Sequence, residues 1–250
     1  MAERDRIELS PLPEFDLTPG QREALIITRD WTKEFFERME RDGKMDAGGH
    51  QFDHNQRVAG MAATLAVYEG HSPFLPALTG TIFDIGRTKA DDVRSKNYLH
   101  GQLSREMSAD FLNSLSIANE ERVLIGDAME VHPRLNEFLI ENGKDTWLAK
   151  ILQDADRLDS LGLLGFLRSS AFRWKLPLIK PEEADSSSVE ESIGSIWQDI
   201  AYRVLEWNDM LWTDTAREIA RPRVIEYRRS LVELKTEASF MYGAYKKLGL

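Results

Sequence analysis

The chain contains five histidines, and the positions of four of them suggest metal coordination. His50 and His54 are four residues apart, so on a helix they would lie one turn apart on the same face. His100 and His132 each stand at the boundary of an apolar segment, and a proline after His132 closes its predicted helix. A histidine pair at this spacing also arises by chance on helix surfaces. His71, in the turn-like sequence EGHSP, is predicted to be an ordinary surface residue.

Four aspartates could supply oxygen ligands to the same site. Asp84 ends the apolar run in TIFDIGR, where a partly buried carboxylate must be paired or metal-bound. QDADRLDSLG adds Asp154, Asp156 and Asp159, and the last two share a helix face at i, i+3. Structural roles remain open, because Asp154 could cap a helix and Asp156 could pair with Arg157 or Arg87.

Three histidines and two aspartates on five helical segments together predict a metal centre: His54, Asp84, His100, His132 and Asp156. Nitrogen and oxygen ligands without thiolate suit Mn²⁺, Fe²⁺, Co²⁺, Ni²⁺, Zn²⁺ or Mg²⁺. The chain has no cysteine, which excludes disulfides, thiolate zinc sites, iron–sulfur clusters and cysteine nucleophiles.

Helical spacing of apolar residues runs along almost the whole chain, and no segment alternates as a strand would. We therefore expect an all-α fold. The pattern predicts an extended arm over 1–20 and one domain over 21–250, with core motifs over 50–162 and C-terminal helices over 195–240. The later helices are predicted at 145–155, 158–173, 195–211, 214–221 and 222–240. The acidic, Ser-rich stretch at about 177–192 predicts a mobile surface loop.

Charge and hydropathy limit the expected partners. The 250 residues carry 32 Lys+Arg and 42 Asp+Glu, a net charge of −10. This balance disfavours a nucleic acid polymer as partner, because such binding needs a basic face to displace counterions. We expect no membrane partner and a cytoplasmic location, since no apolar run is long enough to span a bilayer and the first residues lack a signal-peptide core. A small molecule is the expected partner.

In order and spacing, five motifs resemble those of the HD-domain superfamily of metal-dependent phosphohydrolases, in particular the bacterial branch that includes nucleotide pyrophosphohydrolases. They are HQFDHNQRV (50–58), FDIGR (83–87), HG (100–101), IGDAMEVH (125–132) and DADRLDSLG (154–162). TDTAREIARPR (213–223) is similar to the segment that follows the family's core. The resemblance covers about 45–240. It implies an HD-domain helical bundle with additional C-terminal helices, and hydrolysis of a phosphate bond in a nucleotide or other small phosphorylated molecule.

The resemblance also implies a mono- or binuclear divalent metal centre. Its ligands would be His54, Asp84 and Asp156 for one ion, and His100, His132 and Asp84 for a second. Asp84 and Arg87 are the implied catalytic residues, with Arg87 beside the substrate phosphates and with Lys89 and Arg157 adding positive charge. Asp154 and Asp159 match acids that are frequent in the family, and the resemblance assigns them no role.

The chain departs from the family pattern at two places. Phe83 stands where the family has the histidine of its His-Asp pair, and a phenyl ring cannot bind a metal. Gln51 follows His50 where the family has an acid. We expect the Phe83 ring to fill the volume of the missing imidazole, and Phe83→His to raise the metal content. Besides the predicted ligands and Arg87, the site has five predicted accessory residues: His50, Phe83, Asp154, Arg157 and Asp159.

Three functions follow from these patterns. The first is the phosphohydrolase. The second is a diiron oxygenase similar to the inositol-oxygenase branch of the superfamily, which the loss of an iron-ligand histidine at Phe83 disfavours. The third is a divergent, metal-poor relative with non-hydrolytic chemistry or ligand binding. For the tryptophan-rich C-terminal helices, packing on the core and a homodimer interface remain alternatives.

Overall fold

The structure, a computed structural model, describes residues 12–44, 51–89, 99–185 and 194–249, and within those ranges all regular structure is helical. The α-helices are α1 (Pro19–Arg41), α2 (Phe52–Tyr68), α3 (Phe74–Ile82), α4 (His100–Ser114), α5 (Asn119–Val131), α6 (Asn136–Glu141), α7 (Trp147–Asp159), α8 (Gly162–Phe172), α9 (Pro181–Asp185), α10 (Ile196–Asp209) and α11 (Asp214–Lys246). A 3₁₀ turn, η1, spans Ile85–Lys89. The all-α prediction is confirmed. Among these helices, none combines the length and hydropathy that crossing a bilayer requires.

The apolar core lies between α2, α3, α5 and α7. Helix α2 packs against both α3 and α7, while α4 packs against α5 and η1. The fully buried side chains include Val58, Leu65, Leu78, Ile82, Ile125, Met129, Leu148, Leu152 and Leu158. The predicted ligands occupy the ends of these elements, because α2 begins just before His54, α3 ends just before Asp84, and α5 ends just before His132.

Two glycines permit the close packing that brings these ends together. A Cβ on Gly86 would lie 2.1 Å from the carbonyl oxygen of His100, so the backbone of η1 can approach α4 only without a side chain. A Cβ on Gly101 would lie 2.4 Å from the carbonyl oxygen of Met129, which sets the distance between α4 and α5. The Gly86 amide also donates to Ser104 Oγ at 2.9 Å. Both contacts fix the position of His100 at the start of α4.

The predicted boundaries differ from the structure at two breaks in the C-terminal half. The break predicted between 155 and 158 is wrong, because α7 continues through it to Asp159. The helix predicted at 158–173 is instead divided after Asp159, where Leu161 is extended (ψ 148°) and Gly162 has φ +81°. The helices predicted at 214–221 and 222–240 are one helix, α11, which continues through Pro222. A proline costs a helix about 3 kcal/mol, and burial of Ala216, Ala220, Val224, Tyr227 and Leu231 on one face offsets this cost.

Residues 177–185 are packed against α11 and do not form the loose loop predicted at about 177–192. Ile179 is buried, and its carbonyl oxygen accepts a hydrogen bond from Tyr242 Oη at 2.8 Å. Ser239 Oγ donates to the carbonyl oxygen of Ala184 at 2.7 Å. The rest of that prediction lies outside the described residues. Of the predicted arm over 1–20, residues 12–18 are described and are not helical, and α1 begins at Pro19 behind the capping box of Thr18 and Gln21.

Candidate metal centre

The five predicted ligands converge on one buried cluster, with Asp84 at its centre. His54 Nε2 lies 3.9 Å from Asp84 Oδ2 and 3.4 Å from Asp156 Oδ1. The other oxygen of Asp84 faces the remaining histidines, 3.4 Å from His100 Nε2 and 3.8 Å from His132 Nε2. Four of these side chains are buried and that of Asp156 is 23% exposed, so the cluster opens to solvent on the Asp156 side.

Asp84, His100 and His132 form the more compact half of the cluster, which we call the His100 half. One ligand atom from each residue lies within 4.8 Å of the other two. The Nε2 atoms of His100 and His132 are 2.9 Å apart. His132 Nδ1 donates to the carbonyl oxygen of Met129 at 2.7 Å, which leaves a lone pair on Nε2. Burial lowers the pKa of His132 more than Asp84 and Asp156 raise it, so the ring is neutral at pH 7.

His54 and Asp156, on the other side of Asp84, form the His54 half. His54 Nδ1 donates to Asp159 Oδ2 at 2.8 Å, so its Nε2 lone pair faces the cluster. Arg57 fixes Asp159 in turn, with Nε 2.7 Å from Oδ1 and Nη2 3.1 Å from Oδ2. Burial raises the pKa of Asp159, but the hydrogen bonds from His54 and Arg57 outweigh it and lower the pKa to about 2. Asp159 is therefore an ionised residue that orients His54.

Phe83 lies between the two halves. Its ring is fully buried and makes edge contacts with two imidazoles, with centroids 5.4 Å from His54 and 4.8 Å from His132. The side chain brings no ligand atom to a position bordered by histidines on both sides. The ring therefore presents an apolar surface to both imidazoles.

Two arginines carry positive charge into the cluster. Arg87 Nε lies 2.8 Å from both oxygens of Asp84, so Arg87 is paired with the central carboxylate.

Arg168, from α8, is a residue of the cluster that was not predicted. Its Nη2 lies 3.0 Å from His54 Nε2, and its Nη1 lies 3.4 Å from Asp159 Oδ2. Burial raises the pKa of Asp156, but His54, Arg168 and His132 together hold it well below its usual range. A lone arginine in the apolar sequence GLLGFLRSSAF was the available signal for Arg168.

The structure places the other predicted residues outside this cluster. Asp154 is fully buried but accepts hydrogen bonds from the backbone of Trp212 and Thr213, each at 2.8 Å. Arg157 donates to the carbonyl oxygen of Met210 at 2.6 Å and to Asn136 Oδ1 at 2.8 Å. Both side chains hold the turn between α10 and α11. Lys89 is exposed at the end of η1. His71 is exposed and stacks on Trp147. His50 lies outside the described residues.

A largely apolar cavity of about 630 Å³ adjoins the Arg57–Asp159 pair. Phe15 of the arm, Met61 and Tyr68 of α2 and Ile219 of α11 contribute to its wall. Neither Asp84 nor Asp156 lines the cavity, so the cavity borders the residues that orient His54 and not these two predicted ligands.

No family model matches the chain, but individual proteins do. The chain is 26% identical over 182 residues to YpgQ of Bacillus subtilis, a match that covers 71% of this chain and 79% of YpgQ, which is itself uncharacterised. The crystal structure of YpgQ in complex with ADP superimposes with a TM-score of 0.63 at 21% identity, over 87% of this chain and 96% of YpgQ. An HD-superfamily hydrolase from Bacillus thuringiensis gives a TM-score of 0.63 at 20% identity, over 87% and 97% of the two chains. The protein therefore has the fold of the HD-superfamily hydrolases, as its motifs predict.

Proposed function

We propose that the protein is a metal-dependent hydrolase that acts on a phosphate bond of a nucleotide or another small phosphorylated molecule. The observation that carries this proposal is the position of the Asp84 carboxylate. One of its oxygens faces His54 and the other faces His100 and His132, all within 4 Å. A buried carboxylate between imidazole nitrogens suits a ligand that either serves one ion or is shared by two.

The chemistry of the donor set fits a divalent cation. The ring nitrogens of His54 and His132 that face away from the cluster are engaged with Asp159 and with a backbone carbonyl, which is how metal-binding histidines are usually oriented. Imidazole and carboxylate ligands suit Mn²⁺, Fe²⁺, Co²⁺, Ni²⁺, Zn²⁺ and Mg²⁺. A bound divalent ion lowers the pKa of coordinated water from 15.7 towards about 7, which supplies a nucleophile at neutral pH.

The arginines of the cluster give it the charge that a phosphorylated substrate requires, although the chain as a whole carries −10. Arg87 is 15% exposed, and Asp156 at 23% marks the open edge through which a phosphate would enter. In this proposal Arg87 exchanges part of its pairing with Asp84 for a phosphate oxygen. The ADP bound by YpgQ supports a nucleotide as the substrate class, since that protein shares the fold.

The test is a panel of nucleoside triphosphates, nucleoside diphosphates, cyclic nucleotides and simple phosphate esters, assayed with each of the six metals. We expect divalent-dependent release of phosphate or pyrophosphate from a nucleotide. Asp84→Asn should reduce turnover by more than the 10–100-fold typical of residues that only support a metal ligand. Asp127→Asn, which changes a partly exposed carboxylate paired with Arg105, is the matched control and should be near wild type.

A metal-poor relative is the second candidate, because Phe83 and Arg168 both reduce the capacity of the His54 half. It gains support if none of the panel is hydrolysed with any metal while nucleotides still bind. The hydrolase proposal would then be abandoned in favour of ligand binding or metal-free chemistry in the same pocket.

A further inference from the structure

We infer that the guanidinium group of Arg168 takes the place of a metal ion in the His54 half. The protein therefore holds one divalent ion, and this ion lies in the His100 half. The inference rests on the proposed function in one respect only, which is that a divalent ion binds to the cluster at all. It adds which histidines hold that ion, how many ions bind, and what takes the place of the other ion.

The guanidinium group of Arg168 occupies the position that an ion would need. Its Nη2 donates to His54 Nε2 at 3.0 Å, while His54 Nδ1 is already engaged with Asp159. An ion bound to Nε2 would lie on the same lone pair at about 2.0–2.1 Å. The two positions are too close for simultaneous occupation, so His54 Nε2 accepts either Arg168 or a metal ion.

Several contacts hold Arg168 in this position. Its side chain is 9% exposed, and its Nη1 lies 2.9 Å from Ser160 Oγ, 3.4 Å from Asp159 and 4.0 Å from Asp156. A guanidinium group stays protonated in proteins, so these acids acquire a permanent counter-ion. Moving Arg168 away would leave the carboxylates short of positive charge until another cation replaced it.

Phe83 adds a ring without lone pairs at the boundary between the two halves, with its centroid 5.4 Å from that of His54 and 4.8 Å from that of His132, so neither half gains a ligand atom there. The His100 half offers three ligand atoms within 4.8 Å of one another. Its arginine, Arg87, is bonded to the oxygens of Asp84 at 2.8 Å, and the proposed function already has Arg87 exchange part of that pairing for a substrate phosphate. Three protein ligands that leave a position open are typical of a catalytic metal site. The ion is therefore expected between Asp84, His100 and His132.

The experiment measures bound metal directly, without an activity assay. Full-length protein is stripped with a chelator, dialysed against Mn²⁺ or Zn²⁺ and analysed by elemental mass spectrometry, with titration calorimetry for affinity. We expect one ion per wild-type chain. His54→Ala should retain one ion, while His132→Ala should retain none; His54→Gln and His132→Gln repeat the comparison if an alanine variant does not fold, as checked by circular dichroism.

Restoring the His54 half should require two changes. Phe83→His alone should still bind one ion, and not the higher metal content expected from the sequence, because Arg168 remains in front of His54 Nε2. Phe83→His combined with Arg168→Met should bind two ions. Arg223→Met is the control, since Arg223 also interacts electrostatically with Asp159 but bonds to the carbonyl oxygen of Leu158 and not to His54.

Two ions in wild type, or loss of the ion in folded His54→Ala or His54→Gln, would overturn this inference and leave the proposed metal-dependent function intact. No ion in wild type under any condition would overturn the metal dependence as well, so the two failures are distinguishable.

Discussion

Asp159 determines which nitrogen of His54 faces the cluster, although it offers no ligand atom itself. Its carboxylate accepts a hydrogen bond from His54 Nδ1 at 2.8 Å and another from Arg57 Nε at 2.7 Å. A residue of this kind affects stability as well as coordination, because its pKa of about 2 in the folded protein lies below the ordinary value of 3.8. Folding therefore favours the ionised carboxylate.

Stability is accordingly expected to depend on pH through Asp159. A lowered folded-state pKa contributes stability that is complete above about 3.8 and is lost as pH falls towards about 2. The difference in unfolding free energy between wild type and Asp159→Asn should shrink by roughly 1 kcal/mol between pH 6 and pH 3, and by roughly 2 kcal/mol over the complete titration. Urea unfolding at several pH values measures it; a constant difference would assign the ionisation to other groups.

The sequence predicted which residues form the cluster better than it predicted the residues that support them. His54, Asp84, His100, His132 and Asp156 come together because motif order and helix ends constrain them. The roles of Asp154 and Arg157 depend on which neighbour each side chain meets, and Met210 and Trp212 are more than 50 positions away. Arg168 belongs to the same class, since only the tertiary arrangement brings α8 over His54.

At the scale of the elements, the close crossing of α4 and α5 sets the distance between His100 and His132. Gly101→Ala should separate the two helices, because the new Cβ would meet a backbone carbonyl at 2.4 Å that cannot rotate away. We expect a loss of about 1–3 kcal/mol of stability, typical of overpacking, together with weaker metal binding. Chemical denaturation and metal titration of the same sample measure both effects.

Gly60→Ala is the control for this prediction. Gly60 is exposed within α2, and a Cβ there meets nothing within 4 Å. Alanine is the better helix former by about 0.5–1 kcal/mol, so this variant should be slightly more stable than wild type. If both glycine variants behaved alike, the α4–α5 crossing would not be the feature that positions His100.

The positions of the helices followed from apolar periodicity, but two boundaries did not. The apolar pattern across 145–173 does not show where the break between α7 and α8 lies. The structure places it just before Gly162, whose φ is positive. At Pro222 the sequence predicted a break that the structure lacks. The tendency of proline to break a helix is outweighed there by the burial of five α11 residues against the core. That burial depends on the neighbouring helices, which the local sequence does not reveal.

At the scale of the whole molecule, Asp154 joins the motif-bearing helices to the C-terminal ones. It accepts from the Trp212 amide, the Thr213 amide and Thr213 Oγ1, each at 2.8 Å, just ahead of α11. Asp154→Ala should cost roughly 2–4 kcal/mol, since two backbone amides lose their acceptors. The metal content of the folded variant should not change. A metal deficit as large as that expected for His132→Ala would place Asp154 in the metal centre.

The tryptophans of the C-terminal helices pack largely inwards. Trp197 is buried and donates to the carbonyl oxygen of Leu231, and Trp212 donates to Gln153. Exposed apolar side chains lie instead near the end of α11, at Phe240, Met241, Tyr245 and Leu248. The homodimer stays a prediction. Light scattering should give twice the chain mass, and Phe240→Glu with Met241→Glu should reduce it to one chain; a monomeric wild type would contradict it.

Helix α11 has a consequence for how the molecule unfolds. Over 33 residues it touches α2 and α7, which carry metal-site residues, as well as α8, α9 and α10. Melting of the C-terminal helices would therefore expose the far side of the helices that hold His54 and Asp156. Calorimetry should show a single cooperative transition with equal calorimetric and van't Hoff enthalpies. A cation bound among the histidines would then protect residues as distant as Tyr242 from hydrogen exchange, because the molecule opens as one unit.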